Sequence, residues 1–504
     1  MPLPPGIDQQ TFDAALDEFR GAVGAEWTFS SDDDVALYRD SYSPFINEPE
    51  DPVPSAAVAP RTTEQVQACV RIANRYSLPL WVLSTGKNLG YGGSAPRVSG
   101  SVMIDLKRMD RVLEISETNH YALVEPGVSY FDLYNEIKAR GLKVWIDPPD
   151  PGWGSPVGNT LERGGGYTPM RDHFAAQCGM EVVLPNGELL RTGMGALPGS
   201  ETWQQYRYGF GPYVDGIFSQ SSLGIVTKMG IWLLPEPEAY RLGTVSIRTN
   251  DELTPLMEEI NYLMNSQTVQ GTLRLNSALA SFDEGNVNQG WAADLQFYGP
   301  DIVVDAQWQY SQDRIRARLP DATFQDGPKH RFPLSDEEIA GMANAVPFGI
   351  PGLQAFEFGA GQNQGHLWFA PIIPMRGDAI IEAVTVLSDA LADLGVPPSA
   401  LIPPQSYFPR SIVIFVGFPI TLDTATNQRT RDTYRRLIDI ASERGWGEYR
   451  THIAFMDEVM DCYSFNDHAL RRFHEQMKDA IDPNGIIAPG KNGIWPARLR
   501  GDQA

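Results

Sequence analysis

Leu80-Trp81-Val82-Leu83, followed at once by Ser84-Thr85-Gly86-Lys87-Asn88-Leu89-Gly90-Tyr91-Gly92-Gly93, is the stretch on which the reading of this chain turns. Four apolar residues bounded by turn-forming residues read as a short buried strand. The ten residues after it hold four glycines. Clustered glycines after a strand let successive backbone N–H groups face one point, the geometry of an anion cradle. A flexible connector can have the same composition, so this loop needs company to count. It is neither a GxGxxG fingerprint nor a Walker loop.

Company is found downstream. A second cluster runs Gly152-Trp153-Gly154-Ser155-Pro156-Val157-Gly158-Asn159 and resumes at Arg163-Gly164-Gly165-Gly166-Tyr167. A third is Gln220-Ser221-Ser222-Leu223-Gly224-Ile225-Val226-Thr227. Three such loops at strand ends exceed what connectors need, and they point to one large, flat, polar ligand gripped by backbone groups. A flavin dinucleotide is one such ligand.

Around these loops the chain alternates. Asp8 can cap a helix whose Phe12, Leu16, Phe19 and Val23 share one face. Thr62 and Gln65 match a capping box for a second helix, carrying Val66, Val70 and Ala73. Val102–Leu106 and Tyr121–Val124 read as strands, so the first 230 residues form an α+β or α/β unit. After Leu233-Leu234-Pro235-Glu236-Pro237 the style changes. A helix is expected over Ala379–Leu391 and a strand over Ile412–Val416. The glycine-punctuated style returns in the last 50 residues as IDPNGIIAPGKNGIWP, which predicts a tail packed back on the first unit.

The 504 residues carry 63 acidic and 40 basic side chains, a net charge of −23. That length suits two or three domains at about 100–200 residues each. The acid excess repels phosphate backbones and counts against a nucleic-acid partner. Cys69, Cys178 and Cys462 are far apart, which argues against disulfides and structural zinc and fits a reducing compartment. The N-terminal segment lacks the basic and apolar regions of a signal peptide, and no run approaches 18 apolar residues. A soluble cytoplasmic protein with no membrane partner is expected.

Other chemistries lack their signals. Gly359-x-Gly361-x3-Gly365 has one residue too many for a dinucleotide loop, and Gly485-x4-Gly490-Lys491 ends in Asn492 where magnesium needs Ser or Thr. There is no HExxH, no histidine pair at metal spacing and no G-x-S-x-G elbow, so no metal site is expected. His366 lies among Leu367, Trp368 and Phe369, a setting that also suits a core histidine. Glu448-Tyr449-Arg450-Thr451-His452 sets a phenol beside a guanidinium, enough to hold an anion or simply to form a strand with one charge in water.

Read in order, these pieces resemble the vanillyl-alcohol oxidase family of FAD-dependent oxidoreductases. The match is carried by APRTTEQV, GYGGSAPRVSGSV, VEPGVSYFDL, GMEVVLPNGELLRTGMGALP, YGFGPYVDGIFSQSSLGIVTK, GWGEYRTHIAFMD and DPNGIIAPGKNGIWP. It runs from about Ala57 to Pro496 and is weakest before residue 55 and between about 240 and 350. The resemblance implies a two-domain α+β fold. A discontinuous FAD domain would span 1–237 and 448–504, with a cap domain at 238–447. It implies FAD held by Ser84, Thr85, Gly86, Lys87, Asn88, Gly90, Gly92, Ser155, Gly158, Asn159, Gly224, Ile225, Val226, Arg450 and Lys491. His366 aligns with the residue that carries the flavin covalently. Dehydrogenase members use a tyrosine slightly upstream instead, and none lies between Pro347 and His366.

The same resemblance assigns catalysis. Tyr91, Tyr449 and Arg450 match the residues that bind a phenolic oxygen, and Asp150 of Asp147-Pro148-Pro149-Asp150 matches the carboxylate beside the flavin. Without the match, Asp150 reads as a turn residue. The implied reaction is oxidation of para-substituted phenols (4-alkylphenols, allylphenols or 4-hydroxybenzylic alcohols), with molecular oxygen reduced to hydrogen peroxide. The alternatives are a dehydrogenase passing electrons to a cytochrome or other acceptor and, more distantly, a binder without turnover, which would not need the Asp150 set. Three departures stand out. The first histidine is His120, whereas some oxidases have an earlier one that aids attachment. Trp153 is expected to reshape the cavity or its water path. Met170-Arg171 replaces a usual aromatic-glycine pair. The short loop between Pro198 and Tyr206 points to a homodimer.

Overall fold

The computed structural model describes residues 2–277, 290–353, 365–396, 400–401, 403–408 and 410–503. Gly359 and Gly361 of the rejected dinucleotide loop lie outside them.

The strand Leu80–Leu83 is an edge of a four-stranded sheet. Its order is Thr28–Phe29, Ala56–Val58, Val102–Asp105, Leu80–Leu83, and the last three run parallel. Parallel strands need cover on their faces. The helices Gln9–Val23 and Thr63–Tyr76 supply it through Phe12, Leu16, Phe19, Val66, Val70 and Ala73. Asp8 accepts from the Thr11 N–H, and Thr62 accepts from the Gln65 N–H. The Gln65 side chain reaches past its expected partner to the Arg61 N–H at 2.7 Å, so the capping box is only half made.

The tail closes this unit. The Leu80 N–H donates to the Ile486 carbonyl and the Ala488 N–H donates to the Leu80 carbonyl, both at 2.7 Å. Ile486, Ile487 and Ala488 are buried in the same core as Leu80. A five-stranded antiparallel sheet adjoins it, ordered Val112–Ser116, Tyr121–Val124, Ile225–Trp232, Gln177–Val183, Leu189–Arg191.

Between these halves of sequence lies a seven-stranded antiparallel sheet. Its order is Thr323–Arg331, Ala239–Ile247, Trp291–Gly299, Gln270–Ser277, Gln405–Ser406, Ser411–Val413, Ile372–Pro374. Trp291, Ala293, Leu295 and Phe297 are buried at the period of two that a strand imposes. They share a core with the helices Leu253–Asn265, Asp301–Arg318 and Gly377–Asp393. The chain thus has the two-domain α+β architecture.

The single strand expected at Ile412–Val416 is a correction. Ser411–Val413 ends in the large sheet, and Val416–Ile420 pairs separately with Gly365–Phe369. Ile414 stays buried while Phe415 turns toward Tyr407 and Tyr449, so each residue of the apolar run has a hydrophobic destination without one continuous strand. Among the described residues no helix is long and apolar enough to cross a membrane, and no group of three or more His, Cys, Asp or Glu side chains could hold a metal ion.

Candidate active site

The three glycine loops and the tail meet around one cavity of about 450 Å³. Its wall includes Ser84, Thr85, Gly86, Lys87, Asn88, Tyr91 and Gly92 from the first loop, and Ser155, Gly158 and Asn159 from the second. Gly224, Ile225 and Val226 come from the third, joined by Asp150, His366, Tyr449, Arg450 and Lys491. Gly90 stands behind the wall. A Cβ there would come 2.9 Å from Trp368 Cδ1 and 3.0 Å from His366 Cδ2, so the glycine lets the loop pack on both rings. Gly158 does similar service between loops, since a Cβ on it would lie 2.3 Å from Ser84 Oγ. Backbone surfaces this close, with the Lys491 ammonium on the wall, suit a long, flat, anionic dinucleotide.

One end of the cavity is cationic. The Arg450 guanidinium lies 4.4 Å from the Tyr91 ring centre and 5.8 Å from that of Tyr449. It donates to Asn88 Oδ1, and among the described residues no carboxylate forms an ion pair with it. Glu162, the nearby acid, is bound to Lys491. Burial raises both tyrosine pKa values, opposed by the Arg450 charge, so both hydroxyls keep their protons at neutral pH. Tyr449 now donates to the Arg163 carbonyl at 2.9 Å. A fixed positive charge between two phenol donors is a receptor for an oxyanion.

The other end carries a carboxylate. Asp150 accepts from the Tyr167 hydroxyl at 2.6 Å. Burial pushes its pKa up, opposed by that hydrogen bond and by Arg274. Between the two ends runs an aromatic wall. Tyr167 meets Tyr407 edge-on at 5.4 Å, Tyr407 meets Phe415 at 6.1 Å, and Phe415 meets Tyr449 at 6.4 Å. A flat ring fits against such a wall with one polar end on Arg450 and the other toward Asp150.

His366 sits on a third side, 5.0 Å from the Tyr42 ring centre and 4.9 Å from that of Trp368. Burial lowers its pKa to about 4, with the Asp40 charge opposing, so the imidazole is neutral at pH 7. A neutral imidazole keeps a nitrogen lone pair. Asp40 is itself paired with buried His452 at 2.8 Å.

Trp153 is a correction. It is 44 % exposed beneath the Lys87 ammonium and does not line the cavity, because the turn at Pro151–Gly154 points it outward while Asp150 points in. Several lining residues escaped the sequence reading: Glu162, Gln405, Tyr407 and Phe415 stand in no recognisable motif. Tyr167 ends a glycine cluster already singled out, a signal that could have found it.

Glu448 adds a test of the site's electrostatics. It accepts from Tyr434, and burial raises its pKa from 4.5 to about 8. The folded protein thus holds a proton that the unfolded chain loses near 4.5, so stability falls as pH rises from about 4.5 to about 8 and levels off above that. Tm is expected to fall between about pH 5 and 8 for this reason, and that of Glu448→Gln to fall less. Equal slopes for both proteins would refute it.

Comparison with known proteins adds four findings. A family model described as an FAD binding domain matches residues 54–193. The chain is 32 % identical to the 4-cresol dehydrogenase [hydroxylating] flavoprotein subunit of Pseudomonas putida, covering 98 % of this chain and 97 % of that one. Among solved structures, 4-ethylphenol oxidase from Gulosibacter chungangensis, in complex with isoeugenol, is 36 % identical with a TM-score of 0.86, over 99 % of this chain and 100 % of that one. Substrate-bound p-cresol methylhydroxylase is 32 % identical with a TM-score of 0.86, over 98 % and 99 % of the two chains.

Proposed function

This chain belongs to the vanillyl-alcohol oxidase family of FAD-dependent oxidoreductases, and from that premise we propose that it oxidises para-substituted phenols. The supporting observation is the pairing, within one cavity, of a guanidinium flanked by two protonated phenols with a half-buried carboxyl across an aromatic wall.

The chemistry runs from the charged end. Arg450, Tyr91 and Tyr449 bind the phenolic oxygen as phenolate, with Tyr449 leaving the Arg163 carbonyl to donate to it. Stabilising the anion lowers the substrate's pKa and pushes electron density to the para substituent. The flavin supplies the hydride acceptor. Loss of hydride from the benzylic carbon leaves an electrophilic para-quinone methide. Asp150 then takes a proton from the water that adds to it, so 4-alkylphenols become benzylic alcohols. The glycine loops and Lys491 would hold the cofactor, and the neutral His366 imidazole would be its covalent attachment point.

We assign molecular oxygen as the electron acceptor, supported by the absence of a tyrosine between Pro347 and His366 and by the likeness to an oxidase. The likeness to 4-cresol dehydrogenase favours a second reading, transfer to a protein acceptor. The test is turnover of 4-ethylphenol, 4-allylphenols and 4-hydroxybenzyl alcohol in air. Hydrogen peroxide formed one for one with product is expected. Turnover only with an added dye or cytochrome would favour the second reading, and no reaction with any phenol would refute both.

Covalent attachment has its own readout. Acid-precipitated wild type is expected to give a yellow pellet and His366→Ala a colourless one. Complete release of flavin from the wild-type pellet would exclude the link.

A further inference from the structure

Behind Asp150 the hydroxyls continue. Asp150 Oδ2 lies 2.6 Å from Tyr167 Oη, which lies 2.9 Å from Tyr407 Oη, which lies 2.6 Å from Gln405 Oε1. Four oxygens make three hydrogen-bond-length contacts, yet the two phenols bring only two protons. The row is one proton short.

Two arrangements supply the third. In the first, the Gln405 amide is rotated by half a turn. Nε2 then donates to Tyr407, Tyr407 to Tyr167, and Tyr167 to a charged Asp150. In the second, Asp150 is protonated and every bond reverses: Asp150 donates to Tyr167, Tyr167 to Tyr407, and Tyr407 to Gln405 Oε1. Each order satisfies every link, and amide oxygen and nitrogen are close enough in shape to exchange without repacking. Gln405 is 8 % exposed and Tyr407 also 8 %, so bulk water is a poor substitute for either partner.

We infer that Gln405 is a positioning residue for Asp150, acting through Tyr407 and Tyr167 as a reversible hydrogen-bond wire whose direction follows the charge of the carboxyl. The inference rests on the reading of Asp150 as the proton acceptor. In that role the carboxyl must be comfortable both before and after it takes a proton from water, and a wire complete in both states provides this. The charged and titratable groups facing the wire are Arg274, which stands opposite Gln405 across the paired strands, and Tyr449 beside Tyr407. Arg274 favours the charged carboxyl, and burial opposes it.

The test follows the Asp150 carboxylic-acid C=O infrared band in the holoenzyme as pH varies, assigned by its loss in Asp150→Asn. Gln405→Glu replaces the amide donor by a second acceptor, and the band's midpoint is expected to rise by about one pH unit or more. In a Tyr407→Phe background the wire is cut at unchanged distance, and the same substitution is expected to move the midpoint by well under half as much, the remainder being through-space repulsion. Tyr407→Phe alone, with one donor fewer behind Tyr167, should raise the midpoint by less. Should Gln405→Glu fail to fold, Gln405→Met lacks the donor at similar volume and is expected to raise the midpoint. An unmoved midpoint in the folded Gln405 variant, or a shift of undiminished size in the Tyr407→Phe background, overturns the inference. Phenol turnover measured in parallel separates the two ideas. A coupled titration without turnover defeats the functional reading alone, and turnover with an uncoupled titration defeats the wire alone.

Discussion

Arg450→Ala is expected to lower kcat/KM for 4-ethylphenol by some 30-fold to several thousand-fold. The figure follows from removing a charged donor to a desolvated anion, which costs about 2–5 kcal/mol. The guanidinium is poised for this work. It is held by Asn88 Oδ1, faces the Tyr91 and Tyr449 rings, and has no carboxylate of its own among the described residues. Its charge is therefore not already spent. Loss of Tyr91 or Tyr449 to phenylalanine removes one neutral donor to the phenolate and should cost less, about 1.5–3 kcal/mol. Arg450→Lys should fall between, because an ammonium keeps the charge but not the planar fork. The measurement is anaerobic flavin reduction by stopped flow. The decisive control is 4-methoxybenzyl alcohol, which cannot ionise. If wild type oxidises it as well as the phenols, or if Arg450→Ala slows both equally, phenolate binding is not the role of this end.

Local signals carried the fold a long way. Asp8, Thr62 and the period of Phe12, Leu16, Phe19 and Val23 act within one helix, so sequence alone reveals them. The Leu80–Leu83 strand is equally local. Failure came where two distant partners compete for one apolar run. Ile412–Val416 has the composition of one strand, but Pro371 accepts from the Ile414 N–H and the chain changes sheets there. The site divides in the same way. Its glycine loops announce themselves because close backbone approach demands a residue without Cβ, as at Gly158 against Ser84. Tyr407 and Gln405 are reached only by folding, since their partner Tyr167 is 240 residues from Tyr407. Nothing in Gln405-Ser406-Tyr407-Phe408 marks a hydrogen-bond network. Trp153 misled because a large aromatic beside a catalytic candidate suggests a cavity wall, whereas neighbours on a tight turn point in opposite directions.

Asp150→Ala is expected to slow flavin reduction or hydration of the quinone methide by about 10²–10⁴-fold, the usual worth of a general base. The carboxyl's surroundings bear on the pH dependence. Burial raises its pKa, so its charged, proton-accepting form is lost from the acid side earlier than for an exposed aspartate. Activity carried by Asp150 should therefore decline as pH falls through that raised value, and the residual activity of Asp150→Ala should lack this decline. Asp150→Glu should retain part of the activity, limited because Pro149 and Pro151 fix the backbone on either side and leave little room to absorb an added methylene. Product identity is a second readout. With the base present, water is expected to attack the methide of 4-ethylphenol and give the benzylic alcohol. Without it, loss of a side-chain proton competes better and the vinyl phenol should gain. Single-turnover reduction with 4-ethylphenol in ¹⁸O-labelled water reads both. The label should enter the alcohol, and the alcohol-to-alkene ratio should fall in Asp150→Ala. An unchanged rate together with an unchanged ratio would leave Asp150 a turn residue, and the carboxyl's hydrogen bond to Tyr167 a matter of loop structure.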